Sequence, residues 1–128
     1  TVLTTVLTNS TGYGRIVKGP DGKVTRIVEE RDATEAEKKI KEINSGIYCV
    51  NSRFLFDALR KINNENAQHE YYLTDIIAIA HEGGDGVGSL IAADHREVMG
   101  INTPQELSEA HHYLEKLQGK DERPPGLL

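Results

Sequence analysis

Gly19-Pro20-Asp21-Gly22 is the stretch that most constrains what this chain can fold into. Proline presets φ at the first central turn position, the aspartate side chain bonds its own backbone, and the second glycine accepts φ > 0. Runs of strand-forming residues flank it, Arg15 to Lys18 and Val24 to Glu29, so residues 15–29 are predicted to form a β-hairpin. Other elements alternate around that hairpin. Val2 to Leu7 is rich in β-branched residues and reads as a strand, followed by a loop from Asn9 to Gly14. Glu30 to Lys41 is dense in charge. Its Thr34 and Glu37 make a Thr-x-x-Glu capping box, which leaves a short helix or a solvated excursion open. Ile43 to Val50 returns to strand composition.

Ser52 is predicted to cap a helix whose buried face is Leu55, Ala58, Leu59 and Ile62. A second helix is predicted over 73–81, with Leu73, Ile76, Ile77 and Ala80 on one face. Gly83, Gly84, Gly86 and Gly88 lead from it into a strand over 89–93, and residues 97–100 read as a short strand or extended segment. Thr103-Pro104-Gln105-Glu106 then starts a helix with an N-cap, a first-turn proline and a capping-box glutamate. Leu107, Ala110, Leu114 and Leu117 give that helix one apolar stripe. The order β, hairpin, β, α, α, β, β, α predicts an α/β sheet covered by helices, with the hairpin as an appendage.

A length of 128 residues fits one domain, with 1–118 as its body and 119–128 as a charged, Pro/Gly-containing tail or linker. The chain opens on an apolar strand without an initiator Met, and reads as a piece of a longer protein. A formal charge of −5 with no basic block argues against nucleic acid or a membrane surface as partner. No apolar run approaches a membrane span and nothing at the start resembles a signal peptide. The single cysteine, Cys49, cannot form an internal disulfide, sits among apolar neighbours and is expected to be a small buried filler. One cysteine fits a reducing, cytoplasmic setting.

Nucleophilic chemistry has no signature here: no Gly-x-Ser-x-Gly, no Cys-x-x-Cys, no Walker loop. The five histidines never take His-Glu-x-x-His spacing, and His111-His112 are adjacent on a helix, so their rings diverge. What remains is a set of polar groups at strand ends and helix starts. Thr11-Gly12-Tyr13-Gly14 lets backbone approach a ligand, Glu29 closes the hairpin, Asn44 precedes Ser45-Gly46, Tyr72 and Thr74 open a helix, and Asn102 lies between a strand end and a capped helix. In open α/β sheets ligands bind beyond the carboxyl ends of strands. A carboxylate, amides and hydroxyls beside glycine-lined backbone match a sugar, whose every hydroxyl both donates and accepts. Taken singly, each residue is also an ordinary strand end, turn former or cap.

These motifs also carry a resemblance. Thr-Gly-Tyr-Gly-Arg-Ile, Asp-Gly-Lys-Val-Thr-x-Ile-Val-Glu, Asp-Ala-Thr-x-x-Glu, Glu-Ile-Asn-Ser-Gly-Ile-Tyr, Asn-Asn-Glu-Asn-Ala-Gln-x-Glu-Tyr-Tyr-Leu-Thr-Asp-Ile-Ile and Gly-Ile-Asn-Thr-Pro follow in that order. Over roughly residues 1–117 the chain resembles the second half of the uridyltransferase (pyrophosphorylase) domain of bacterial bifunctional N-acetylglucosamine-1-phosphate uridyltransferase/glucosamine-1-phosphate acetyltransferases. The Asn-Ala-Gln-x-Glu-Tyr-Tyr-Leu-Thr-Asp run is its most specific part.

The resemblance implies the C-terminal half of a Rossmann-like nucleotidyltransferase domain, a mixed sheet flanked by helices. It implies UTP and N-acetylglucosamine 1-phosphate as substrates, UDP-N-acetylglucosamine and pyrophosphate as products, Mg²⁺ as cofactor, and a place in peptidoglycan precursor synthesis. By residue, it places the Gly14 backbone at the sugar nucleotide, Glu29 and Asn44 at the sugar, Tyr72 and Thr74 in the N-acetylglucosamine pocket, and Asn102 at the substrate and as one Mg²⁺ ligand, with no catalytic residue in this half. The family's Gly-x-Gly-Thr-Arg-Met loop, its lysine and metal-binding aspartate, and its β-helix acetyltransferase domain do not occur in this sequence. A chain with only the sugar side is expected to be inactive alone and to self-associate through a cut sheet edge. The alternative is a non-catalytic sugar-nucleotide-binding or self-associating module.

Overall fold

The Val/Thr/Ile runs form strands and the two strongest apolar stripes form helices packed on them. In the computed structural model of the chain, which describes residues 1–101 and 103–119, the elements are β1 (Val2–Val6), β2 (Arg15–Lys18), β3 (Val24–Val28), β4 (Glu42–Tyr48), α1 (Ser52–Leu59), α2 (Asp75–Glu82), β5 (Ser89–Ile91) and α3 (Pro104–Gly119), with 3₁₀ turns at Glu37–Lys39 and His95–Glu97. The five strands make one mixed sheet in the order β3-β2-β4-β1-β5. Every pairing is antiparallel except β1 with β5.

The predicted hairpin is β2–β3. Gly22 has φ +77°, its amide donates to the Gly19 carbonyl (3.0 Å), and Asp21 Oδ1 accepts from the Lys23 amide (3.1 Å). The hairpin joins the rest of the sheet through one registered pair, Arg15 with Ile43, so it is hung on the sheet edge as the sequence predicts. What anchors it is the apolar core. Ile16, Val24 and Ile27 pack with Val2, Ala58, Ile76, Ile77, Ala80 and Val87, and Phe54, Leu55 and Ile62 close the margin.

Several local expectations are corrected. Asn51, not Ser52, caps α1, its side chain accepting from the Phe54 amide at 3.2 Å. The Thr34–Glu37 box forms, with Thr34 N–H and Oγ1 both donating to Glu37 Oε2 (2.8 and 2.7 Å), but it organises only a 3₁₀ turn. Too few apolar residues are present there to bury a longer helix. Residues 97–100 are not a strand: Asp94 caps a 3₁₀ turn by accepting from the Arg96 amide (3.0 Å). Cys49 is exposed, because it lies just past the end of β4 where the chain leaves the sheet. Helix α3 starts as predicted, with Thr103 and Glu106 bonding reciprocally (2.8 and 3.2 Å). Its stripe is not buried, however: Leu107, Leu114 and Leu117 are all exposed. Leu59 and Leu73, read as core-facing, are exposed as well.

Among the described residues no helix is long and apolar enough to cross a membrane.

Candidate functional site

Glu29, one residue past the end of β3, is the centre of the polar cluster. Its Oε1 accepts from Thr74 Oγ1 at 3.1 Å, across the gap between the hairpin and the start of α2. Thr74 is buried, and it precedes α2 without a side-chain capping bond, which leaves its hydroxyl for Glu29. Gly14 lies against the same carboxylate. A Cβ there would stand 3.3 Å from each Glu29 oxygen and 3.0 Å from Ile27 Cγ2, so the close approach needs glycine.

Asn44 joins from β4, where its amide donates to the Gly14 carbonyl at 2.9 Å. The β1–β4 register shifts between Leu3 and Thr4, leaving Ser45 and Gly46 as a bulge. Ser45 Oγ donates to the Leu3 carbonyl (2.6 Å) and Asn44 Oδ1 accepts from the Gly46 amide (3.0 Å), with Gly46 at φ +79°. Such a bulge re-aims one side chain at the end of a ladder; here Asn44 Nδ2 donates to the Tyr48 hydroxyl at 2.8 Å. Burial first, and then the Glu29 charge, hold the Tyr48 phenol above its ordinary pKa.

Tyr72 reaches the cluster less directly. Its hydroxyl accepts from Gln68 Nε2 at 2.7 Å. Its phenol is likewise raised, by desolvation foremost, with Asp32 and Glu29 adding. The loop that delivers Gln68 is tied down by Asn66, which accepts from the Gln68 and Glu70 amides, and by Asp32, which accepts from the Ala67 amide at 2.8 Å.

A polar cleft of about 500 Å³ opens beside Gly14 and Asn44, walled by Gly12, Tyr13, Ser45, Gly46 and Glu106. A second cavity, about 370 Å³, lies between α1, α2 and the end of β4 and is walled mostly by apolar side chains such as Phe54, Ile76, Ala80 and Val87. The first borders the Gly14 backbone and Asn44 directly and sets backbone, amide and carboxylate groups along one wall, as a polyhydroxyl ligand requires.

The structure therefore brings Gly14, Glu29, Asn44 and Thr74 together and sets Tyr72 beside them, whereas Asn102 lies outside the described residues. Sequence reasoning singled out none of Tyr48, Gln68 and Asp32, the partners that orient Asn44 and Tyr72. The signal for Gln68 was its place in the Asn-Ala-Gln-x-Glu-Tyr-Tyr run. Among the described residues no three His, Cys, Asp or Glu side chains gather as a metal site. With Asn102 as the one ligand implied, the described residues do not amount to a Mg²⁺ site.

The whole of this cluster falls inside the match to the nucleotidyl transferase family model, which covers residues 1–116. The chain belongs to the nucleotidyl transferase family. Its relatives include a protein of Brevibacillus brevis named bifunctional protein GlmU, 51% identical over 116 residues, a match covering 91% of this chain and 25% of the relative. Proteins of the same name from Geobacter metallireducens (54% over 113 residues, 88% and 24% covered) and Streptomyces griseus (50% over 115 residues, 89% and 24% covered) are similar. The chain thus spans about a quarter of the length of the curated relatives it matches.

Proposed function

We propose that this nucleotidyl transferase chain is the sugar-binding half of a domain that joins UTP to N-acetylglucosamine 1-phosphate. The supporting observation is the close approach of Gly14 and the Thr74 hydroxyl to the Glu29 carboxylate, with the Asn44 backbone amide bonded to the Gly14 carbonyl along the wall of a polar cleft. Glu29 accepts from sugar hydroxyls, Asn44 and Thr74 pair with hydroxyls in either sense, and the Gly14 backbone packs against the ring. Tyr72, held by Gln68, lines the N-acetyl side. In the complete reaction the sugar phosphate attacks the α-phosphorus of UTP and pyrophosphate leaves, a step made of positioning and charge neutralisation. The neutralising Mg²⁺, with Asn102 as one ligand, belongs to the complete domain in the cytoplasm.

Two measurements on the 128-residue chain test this reading. Titration with UDP-N-acetylglucosamine shifts the backbone resonances of Gly14 and Thr74, and Glu29→Ala abolishes the shifts. Incubation with both substrates and Mg²⁺ releases no pyrophosphate above background. Absence of shifts removes the sugar site, and turnover near whole-enzyme rates removes the assignment as one half.

A second reading, self-association, is favoured by the edge strand β5, whose Leu90 and Ile91 are 63% and 50% exposed.

A further inference from the structure

Arg15 is the one charged residue among the described part of the chain that is buried, at 1% exposure. It heads β2, opposite Val28 on one side and Ile43 on the other. Its Nη1 donates to the Tyr13 carbonyl, its Nη2 lies 2.6 Å from Glu30 Oε2, and its Nε makes no hydrogen bond. The same Glu30 oxygen accepts from the Gly12 amide at 3.2 Å. One ion pair thus grips two successive residues of the loop immediately before Gly14.

Stability does not account for this arrangement. Burying a guanidinium is costly, an ion pair recovers that cost only when its donors are satisfied, and here one is idle. An apolar side chain of similar volume would suit the sheet better. What the pair does supply is a single loop conformation. Gly12 sits at φ +85° with open space beside its Cα; the Ser10 carbonyl accepts from the Tyr13 amide at 3.3 Å and Asn9 Oδ1 from the Thr11 amide at 3.1 Å, and Glu30 is the group that takes the Gly12 amide itself. Neither Arg15 nor Glu30 lines the polar cleft beside Gly14 and Asn44.

We propose that Arg15 and Glu30 are positioning residues: the buried guanidinium, bonded to the Tyr13 carbonyl and sharing Glu30 with the Gly12 amide, holds the loop so that the Gly14 backbone stays against the Glu29 carboxylate. The use of this clamp rests on the sugar-site reading, but its geometry does not, and the test separates the two. The ¹⁵N-labelled chain, Glu30→Ala and Glu30→Gln are compared by amide hydrogen exchange and by titration with UDP-N-acetylglucosamine. Glu30→Ala keeps the wild-type circular dichroism spectrum, speeds Gly12 exchange about tenfold and weakens binding about tenfold, the scale of one charge-assisted hydrogen bond. The Gly22 amide, bonded to Gly19 in the distant hairpin turn, exchanges as before. Glu30→Gln, which keeps an acceptor oxygen, recovers most of both losses. Unchanged Gly12 exchange in folded Glu30→Ala overturns the clamp. So does faster exchange with unaltered affinity, or loss of the folded spectrum, which would make the pair merely structural. If the wild-type chain does not bind the probe, the sugar-site reading falls and Gly12 exchange alone decides whether the clamp exists.

Discussion

Gly14 is where a single methyl group decides most. A Cβ at that position meets Ile27 Cγ2 at 3.0 Å, and Ile27 is a core residue with little room to retreat. It also meets both Glu29 oxygens at 3.3 Å, which pushes the carboxylate away from Thr74. Gly14→Ala is therefore expected to cost about 1–2 kcal/mol in urea unfolding, the usual scale of overpacking. It should also weaken UDP-N-acetylglucosamine binding about tenfold or more, a loss of the scale expected when a buried hydrogen bond is disturbed. A variant with wild-type stability and affinity would show that the glycine is only a turn residue. From the sequence alone those two roles look the same, because the distinction depends on where Glu29 lies and the hairpin has to fold before it lies there. Tyr48 escaped notice for a similar reason. It reads as a strand residue, and only the bulge at Ser45-Gly46 turns the Asn44 amide toward its hydroxyl. Cys49 was misread because its apolar neighbours implied burial, whereas the strand ends one residue before it.

Elements defined by local chemistry were legible, and those defined by tertiary surroundings were not. The hairpin, the Thr34 and Thr103 boxes and the start of α3 follow from turn residues, caps and apolar spacing within a few positions, whereas α2 begins at Asp75, two residues after the Leu73 that the spacing predicts. The 3₁₀ turn at His95–Glu97 follows instead from Asp94, which takes the Arg96 amide and guanidinium and the Tyr113 hydroxyl, while Arg96 lies over the Tyr113 ring at 4.5 Å. The charged excursion between β3 and β4 is held by carboxylates, and this sets its response to acid. Glu37 is kept below the ordinary carboxylate pKa by hydrogen bonds from the Thr34 backbone and side chain and by the nearby Arg26. Glu30 is kept low chiefly by the Arg15 hydrogen bond. Both pKa values are depressed in the folded chain, so their stabilisation is present above the unfolded carboxylate value of about 4.3 and is lost as pH falls through the lower folded values. Exchange protection of the Lys38 and Ile40 amides is expected to fall below about pH 4, before that of Ile16 and Ile27 in the core. Simultaneous loss across the chain would contradict local control by these two groups.

At the scale of the molecule, the expectation of self-association through a sheet edge turns on which strands form the edges. The first strand, β1, lies inside the sheet between β4 and β5. The edges are β3 and β5. The β3 edge is partly covered, since Val24 bridges to Val87 and α2 packs on that strand. The β5 edge pairs on one side only, and Leu90 and Ile91 stand out from it. An edge with apolar side chains and free backbone groups recruits a further strand, and charge, lysine above all, blocks such pairing. If β5 is the seam through which copies of this chain associate, sedimentation velocity of the wild-type chain is concentration-dependent. Leu90→Lys then shifts it to monomer without lowering the urea midpoint, because that side chain is 63% exposed and takes no part in the core. Leu114→Lys, on the exposed stripe of α3, leaves association through β5 intact. A reversal, with Leu114→Lys dissociating the assembly and Leu90→Lys without effect, would move the seam from the sheet edge to the helix. A wild-type monomer at all concentrations would remove self-association altogether, and with it the reading of β5 as an adhesive edge.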